Sequence, residues 1–199
     1  MSIVILAEKP SQGMDYAKAF NSMKRKNGYI EVSDNRFFNG KNVFITWGFG
    51  HLVELVQPKE YKKEWEKWAI ESLPIAPSEF KFTVPSSKRK QFNVVKGLLQ
   101  KATGIVVATD PDREGENIAR SIISMAGASS KPIKRLWINS LEKEAIQKGL
   151  LNLKEGKSYY ELYKEAETRQ KSDWLVGMNA SRLYSILLQK KRFEEYGSI

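Results

Sequence analysis

Short apolar runs alternate with stretches of helical periodicity from the amino terminus to about Leu153. The runs are brief and rich in β-branched residues, which is typical of buried strands. Strands are predicted at residues 2–7, 29–32, 42–47, 104–109 and 134–138, and helices at 11–20, 87–101, 116–126 and 141–150. Such alternation predicts an α/β fold, in which a mainly parallel sheet carries helices on both faces.

The capping and turn-forming residues between these elements predict several local features. Ser11 and Ser140 are expected to cap the helices that follow them. An Asn39-Gly40 turn is expected between two strands, and residues 24–28 are expected to form a basic turn. Four prolines make residues 58–85 irregular, with one short helix at 61–69.

The regular alternation ends near Leu153, so we expect a domain boundary there. Residues 154–158 have the composition of a turn or linker. Residues 159–190 form one long helical pattern, with a possible interruption at Gly177. The sequence therefore predicts two parts, residues 1–153 and residues 154–199.

Composition excludes several classes of protein and favours an anionic partner. The chain has no Cys and a single His, His51, which excludes disulfides, a cysteine nucleophile and the usual zinc sites. It opens with no secretory signal, and its apolar runs are too short to span a membrane. The net charge of +10 favours nucleic acid, although a merely soluble basic protein would show it too.

An acidic cluster interrupts this basic chain directly after the 104–109 strand. Asp110, Asp112, Glu114 and Glu116 lie within seven residues, and Glu8 ends the first strand in the same way. If the first strand and the 104–109 strand are neighbours, Glu8 should face Asp110 and Asp112 across one crevice. In open α/β sheets ligands gather at the carboxyl ends of the strands, and such carboxylates suit Mg²⁺. The alternative is a helix amino terminus, where the helix dipole favours acidic side chains without any metal.

The string Asp110-Pro-Asp-Arg-Glu-Gly-Glu116, together with Leu6-Ala-Glu-Lys-Pro-Ser11, resembles the Toprim domain of the type IA DNA topoisomerases, most closely the topoisomerase III branch. Further matching segments occur in order: Trp47 to Leu52, Trp68 before Leu73 to Pro77, Arg135 to Asn139, and Asp173 to Tyr184. The resemblance covers essentially the whole chain. It implies that residues 1–153 are the Toprim domain and 154–199 the truncated start of an adjacent helical DNA-binding domain.

Enzymes of this family cut one DNA strand with a tyrosine, hold the 5′ phosphate covalently, pass another strand and reseal, so they relax or decatenate DNA without ATP. The resemblance implies that Asp110 and Asp112 hold Mg²⁺ and that Glu8 is the third acidic residue of the metal site. Glu8 is also expected to protonate the leaving 3′ oxygen. The implied catalytic set is Glu8, Lys9, Asp110, Asp112, Arg113 and Glu114, with Lys9 against the scissile phosphate.

The family's nucleophilic tyrosine lies in a Tyr-x-Arg-Thr setting, and none of the eight tyrosines of this chain does. We therefore expect an amino-terminal part of a topoisomerase, with the acidic half of the active site and no activity alone.

The resemblance also implies DNA contacts outside the acidic cluster. Trp174, Arg182 and Gln189 fall on one helical face, and Trp68 is the fourth expected contact. The alternative for Trp174 and Trp68 is a packing role. His51 is expected to be structural, and the basic runs 88–90 and 190–192 to be either a solvated face or phosphate contacts.

Rival interpretations are a topoisomerase I, a primase or a nuclease with the same acidic fold, or a single-strand DNA-binding module without catalysis. The expected partner is DNA, chiefly single-stranded, with a possible helicase and no membrane. The expected location is the cytoplasm, in association with the nucleoid.

Overall fold

A computed structural model describes residues 2–196, with side chains as far as Lys190. The strands are β1 Ser2–Ala7, β2 Ser22–Lys26, β3 Tyr29–Ser33, β4 Asn42–Trp47, β5 Glu54–Leu55, β6 Phe82–Thr83, β7 Gly104–Ala108, β8 Ile133–Arg135 and β9 Lys154–Glu155. The α-helices are α1 Pro10–Lys18, α2 Arg89–Lys101, α3 Arg113–Met125, α4 Lys143–Leu151 and α5 Tyr160–Tyr196.

Seven strands form one sheet in the order β2-β3-β4-β1-β7-β8-β9. The four central strands run parallel, while β2, β3 and β9 pair antiparallel at the edges. Strand β1 lies in the middle, and its residues from Val4 to Ala7 are fully buried. The predicted mainly parallel α/β sheet is confirmed.

The core forms on both faces of this sheet. Ile3, Ile5 and Ala7 of β1 share one hydrophobic cluster with residues of α1 and α4. Val4 and Leu6 are also buried, and strand alternation turns them to the opposite face, which α2 covers with α3 packed against it. Both faces of β1 are therefore apolar, which explains its unbroken hydrophobic run.

Both predicted serine caps are wrong. Helix α1 begins one residue earlier, with Pro10 in its first position and Lys9 as the cap residue. Proline suits that position because the backbone N–H it lacks has no partner within the helix there. Helix α4 begins only at Lys143, after Glu142, whose backbone N–H donates to the Ser140 hydroxyl at 3.2 Å.

The segment predicted as a basic turn at 24–28 is mostly strand β2. This strand lies at the edge of the sheet, and its residues from Ser22 to Arg25 are exposed. Since neither face is buried, the strand has no hydrophobic alternation from which it could be predicted. Its lysines are typical of an edge that avoids pairing with other chains.

Three other elements differ from the prediction in extent. The short helix expected at 61–69 is replaced by a 3₁₀ turn, Lys63–Glu66, and a second 3₁₀ turn follows it at Ile70–Ser72. The strand expected at 134–138 is the shorter β8. Helix α5 runs for 37 residues without a break at Gly177. Within the described residues, no helix combines the length and apolar character needed to span a bilayer.

The chain divides into two compact units, each built from two segments. The sheet unit comprises the chain up to Glu54 and Val84–Ala166, and the helical unit comprises Leu55–Thr83 and the chain from Glu167. The division of the chain into domains 1–153 and 154–199 stays a prediction. The compact units do not follow that division, because residues 55–83 group with the later part of α5.

Candidate active site

The carboxyl ends of β1 and β7 lie side by side in the sheet unit. These strands are parallel neighbours, with Ala7 opposite Ala108, so Glu8 and Asp110 leave the sheet at the same edge. The Glu8 carboxylate accepts a hydrogen bond from the Asp110 backbone N–H at 3.3 Å. The predicted meeting of the two strand ends is confirmed. We call Glu8, Asp110 and Asp112 the site acids.

Asp112 is the cap residue of α3. Its Oδ1 accepts a hydrogen bond from the Gly115 backbone N–H at 2.7 Å, and its own N–H donates to the Asp110 carbonyl at 2.9 Å. The capping role weighed as an alternative is therefore real for this residue. It uses one carboxylate oxygen, so it does not compete with a ligand role for the other.

Gly115 allows the tight turn between β7 and α3. A Cβ atom at this position would lie 2.2 Å from the Asp110 carbonyl oxygen, a distance at which the backbone must move. Glycine is thus required for close backbone approach beside Asp110.

Two side chains from the start of α1 reach Asp110. The Lys9 ammonium, half exposed, lies 3.7 Å from Oδ2 of Asp110. The Gln12 amide donates to Oδ1 of Asp110 at 2.7 Å, and its carbonyl accepts from the Glu8 N–H at 2.8 Å. Sequence reasoning missed Gln12. The available signal was a glutamine in the third helical position, from which such side chains reach back to backbone N–H groups.

The buried Arg135 also contacts the edge of the sheet at which the site acids lie. Arg135 of β8 is 1% exposed, and its guanidinium donates to the Asp110 carbonyl at 2.6 Å. It also donates to three further backbone carbonyls, those of Val107, Thr109 and Leu136. The fully buried Glu116 forms an ion pair with it at 2.6 Å. Burial lowers the pKa of Arg135, and the Glu116 charge opposes that effect.

Arg113 and Glu114, at the edge of the site, each contact a different residue. Arg113 forms an ion pair with Glu165 at 2.6 Å, and both side chains are about half exposed. The exposed Glu114 carboxylate lies 3.4 Å from Nε2 of His51. Their expected roles in the reaction stay predictions.

Glu8 lies in an electrostatic setting that favours its neutral form. Burial raises the pKa of its carboxyl group most, and the charges of Asp110 and Asp112 raise it further. The hydrogen bond from the Asp110 backbone and the Lys9 charge act in the opposite direction. The carboxyl group thus holds a proton at higher pH than a free glutamate does.

The arrangement of the site acids suits an open Mg²⁺ site, which keeps water ligands, better than a site closed by protein ligands alone. Among the described residues, no group of three or more His, Asp or Glu side chains is arranged to hold a metal ion. The expected three-acid ligand set is therefore not preassembled, and the ligand roles stay predictions. Mg²⁺ usually takes only one or two carboxylates and completes its coordination with water and substrate phosphates, so this donor set fits it.

Residues 3–141 match the family described as the Toprim domain. The chain belongs to the Toprim family. It is 45% identical to DNA topoisomerase 3 of Staphylococcus epidermidis over 92% of this chain and 25% of that protein. It is 46% identical to DNA topoisomerase 3 of Bacillus subtilis, over 90% of this chain and 24% of that one. The chain thus spans about a quarter of the length of these relatives.

A solved structure supports the Toprim fold. Full-length topoisomerase I from Thermotoga maritima superposes with a TM-score of 0.56 over 98% of this chain and 26% of that chain. The two sequences are 18% identical, so this likeness concerns the fold alone.

The DNA contacts expected outside the Toprim acids fall in the helical unit. Arg182 is 5% exposed, donates to the Trp65 carbonyl at 2.6 Å, and lies over the Trp68 ring. Trp68 itself is 58% exposed. Within the described residues, Nε of Arg182 has no hydrogen-bond partner. A buried guanidinium thus lies against an exposed aromatic ring.

Trp174 and Gln189 are placed differently from each other. Trp174 packs edge-on against Tyr61 and Phe80, with both ring centroids 5.8 Å away, as the packing alternative expects. Gln189 is exposed on α5. Of the basic runs, Lys88 donates to the His51 carbonyl at 2.7 Å, while the side chains of 191–192 lie outside the described residues.

Proposed function

We propose that this chain supplies the acidic half of the active site of a type IA DNA topoisomerase. The observation that carries the proposal is the contact of Glu8 with Asp110 across the ends of two adjacent strands of a Toprim sheet. The relatives named DNA topoisomerase 3 support the same function. The enzyme breaks and rejoins one DNA strand through a 5′-phosphotyrosine, and it is an isomerase because its substrate and product differ only in topology.

Asp110 and Asp112 are the residues that would hold Mg²⁺, with Glu8 beside them. A bound Mg²⁺ would neutralise charge on the phosphate at the cleavage point. Lys9, half exposed next to Asp110, would contact a non-bridging phosphate oxygen. The Glu8 carboxyl, whose pKa burial raises, would deliver a proton to the leaving 3′ oxygen and take it back on religation.

Single-stranded DNA is the proposed substrate. Trp68 offers an exposed ring on which an unpaired base can stack, and the net charge of +10 attracts phosphate. The buried Arg182 would add positive charge next to that ring without contacting phosphate directly. The proposed reaction conserves the phosphodiester energy in the tyrosine ester, so it needs no ATP. The same proposal includes a helicase partner, because a helicase supplies single strands. It also includes a cytoplasmic, nucleoid-associated location, where the DNA substrate would be found.

The nucleophilic tyrosine belongs to another part of the full-length protein in this proposal. None of the eight tyrosines here is in the Tyr-x-Arg-Thr setting of the family, so the chain alone should not cleave DNA.

The test replaces Asp110 and Asp112 by Asn in the full-length protein and measures relaxation of supercoiled DNA with and without Mg²⁺. Asn retains the cap on α3 while removing the charge. We expect relaxation to fall by about 100-fold or more, with single-strand binding unchanged within about twofold. The matched control is Asp15→Asn, which removes a carboxylate that pairs with Lys18 in α1. Full activity of the double variant would refute the proposal, and lost folding would make the cluster structural.

A further inference from the structure

Gln12 connects the two strand ends that carry Glu8 and Asp110. It lies in the first turn of α1, is 3% exposed, and makes one hydrogen bond from each end of its amide. The carbonyl oxygen accepts from the Glu8 backbone, and the NH₂ group donates to the Asp110 carboxylate. The residues it joins are far apart in sequence and adjacent only in the folded sheet.

Glu8 and Asp110 are joined in both directions just beyond the last paired residues of β1 and β7. The β1–β7 pairing ends at Ala7 and Ala108. One step further, the Glu8 side chain accepts from the Asp110 backbone, while Gln12 joins the Glu8 backbone to the Asp110 side chain. Oδ1 of Asp110 is thereby held, and its other oxygen, Oδ2, lies toward Lys9.

An amide suits this position better than a charged group. Glutamine offers both an acceptor and a donor, so it satisfies the backbone N–H and the carboxylate together. A lysine or arginine could donate to Asp110, but its charge would compete with a cation. A glutamate would add a negative charge and lose the donor. Supporting hydrogen bonds to metal-binding carboxylates typically fix their orientation.

We propose that Gln12 is a positioning residue, which holds the Asp110 carboxylate in the orientation that receives the divalent cation. This inference rests on the proposed function, since it assigns Gln12 a task at the same site. Gln12 is expected to touch neither DNA nor the metal itself.

The experiment uses the 199-residue chain and the change Gln12→Met, which preserves length and volume but removes both hydrogen bonds. Mg²⁺ is titrated while the backbone amide signals around Asp110 are followed by NMR. We expect the half-saturating Mg²⁺ concentration to rise about 10-fold or more. The matched control is Gln147→Met, since Gln147 donates to the Ala19 carbonyl at the other end of α1. That variant should bind Mg²⁺ like the unaltered chain.

A second measurement does not require metal. Hydrogen exchange at the Glu8 backbone amide should accelerate in Gln12→Met and stay unchanged in Gln147→Met, because only the first loses the acceptor. Should Gln12→Met fail to fold, Gln12→Asn keeps the amide but is one methylene too short to bridge, and it should show the same losses.

The outcomes separate the two proposals. If the unaltered chain binds Mg²⁺ and the Gln12 variants bind it equally well, the positioning role is wrong although the metal site stands. If the unaltered chain binds no Mg²⁺, the proposed metal site fails and the positioning role fails with it. Unchanged exchange at Glu8 would also overturn the role, since the amide would then not be held by Gln12.

Discussion

The buried ion pair between Glu116 and Arg135 should be essential to the stability of the sheet unit. The change Glu116→Gln removes one charge while preserving shape, and it leaves a guanidinium that is 1% exposed without its carboxylate. Arg120, 3.4 Å from the same carboxylate, loses a partner too but retains its bond to the Gly156 carbonyl.

The magnitude follows from the burial of the pair. Removing one partner of a buried ion pair typically costs about 3–5 kcal/mol, because the remaining charge is uncompensated. Arg135 keeps its bonds to four backbone carbonyls, so we expect the lower end, about 3 kcal/mol. For a chain of this length each kcal/mol shifts the melting temperature by about 2–4 °C, which gives a fall of about 6–12 °C.

Thermal unfolding followed by circular dichroism measures this loss directly. The control is Glu155→Gln, which removes the carboxylate of the exposed pair with Lys134 on the neighbouring strands and should have no measurable effect. In the double variant Glu116→Gln/Arg135→Met, the combined loss should be clearly smaller than the sum of the single losses. A melting temperature within 2 °C of the unaltered chain for Glu116→Gln would contradict the reasoning, because such a small change is below the cost expected for an uncompensated buried charge (about 3–5 kcal/mol).

Two further predictions concern a turn and an ion pair. Gly115→Ala should displace the Asp110 carbonyl and abolish Mg²⁺-induced NMR shifts, whereas Gly97→Ala, where a Cβ meets no atom within 4 Å, should bind Mg²⁺ normally. Hydrogen bonds from Arg36 lower the pKa of Asp34 to about 2, so its stabilising effect is full above about pH 4 and is lost as pH falls through 2. Asp34→Asn should thus destabilise the chain by about 1–2 kcal/mol in urea unfolding at pH 7, and by clearly less at pH 2, where the carboxyl group is about half protonated; equal losses at both pH values would contradict this.

The centre of the fold and the place of the site could be predicted from sequence because both depend on buried strands. The runs that become β1 and β7 are apolar from Ile3 to Ala7 and from Ile105 to Ala108, since both faces of each strand are covered. Parallel neighbours end at the same edge, so the acids directly after them had to meet if the strands were adjacent. Adjacency was the assumption, and the β1–β7 pairing supplies it.

The supports of the site could not be predicted, because they depend on contacts between distant segments. Arg135 is a charged residue in a strand, and its bonds to the carbonyls of Val107 in β7 and of Thr109 just after it exist only once β8 pairs with that strand. The position of Gln12 in the first helical turn suggests a bond to a backbone N–H, but its bond to Asp110 exists only once the fold brings that residue beside it. Strand β2 carries no alternation, and segment 55–83 carries no periodicity that would assign it to the unit containing the later part of α5.

The arginines near the site form ion pairs with carboxylates other than the site acids, although the chain as a whole is basic. Arg113 pairs with Glu165, and Arg120 and Arg135 both pair with Glu116. These three cations thus pair with two carboxylates, neither of which is a site acid. Near Asp110, the contacts that orient the carboxylate are a neutral amide and a half-exposed ammonium at 3.7 Å. Much of the negative charge of Asp110 and Asp112 therefore stays uncompensated by protein, which favours the binding of a divalent cation.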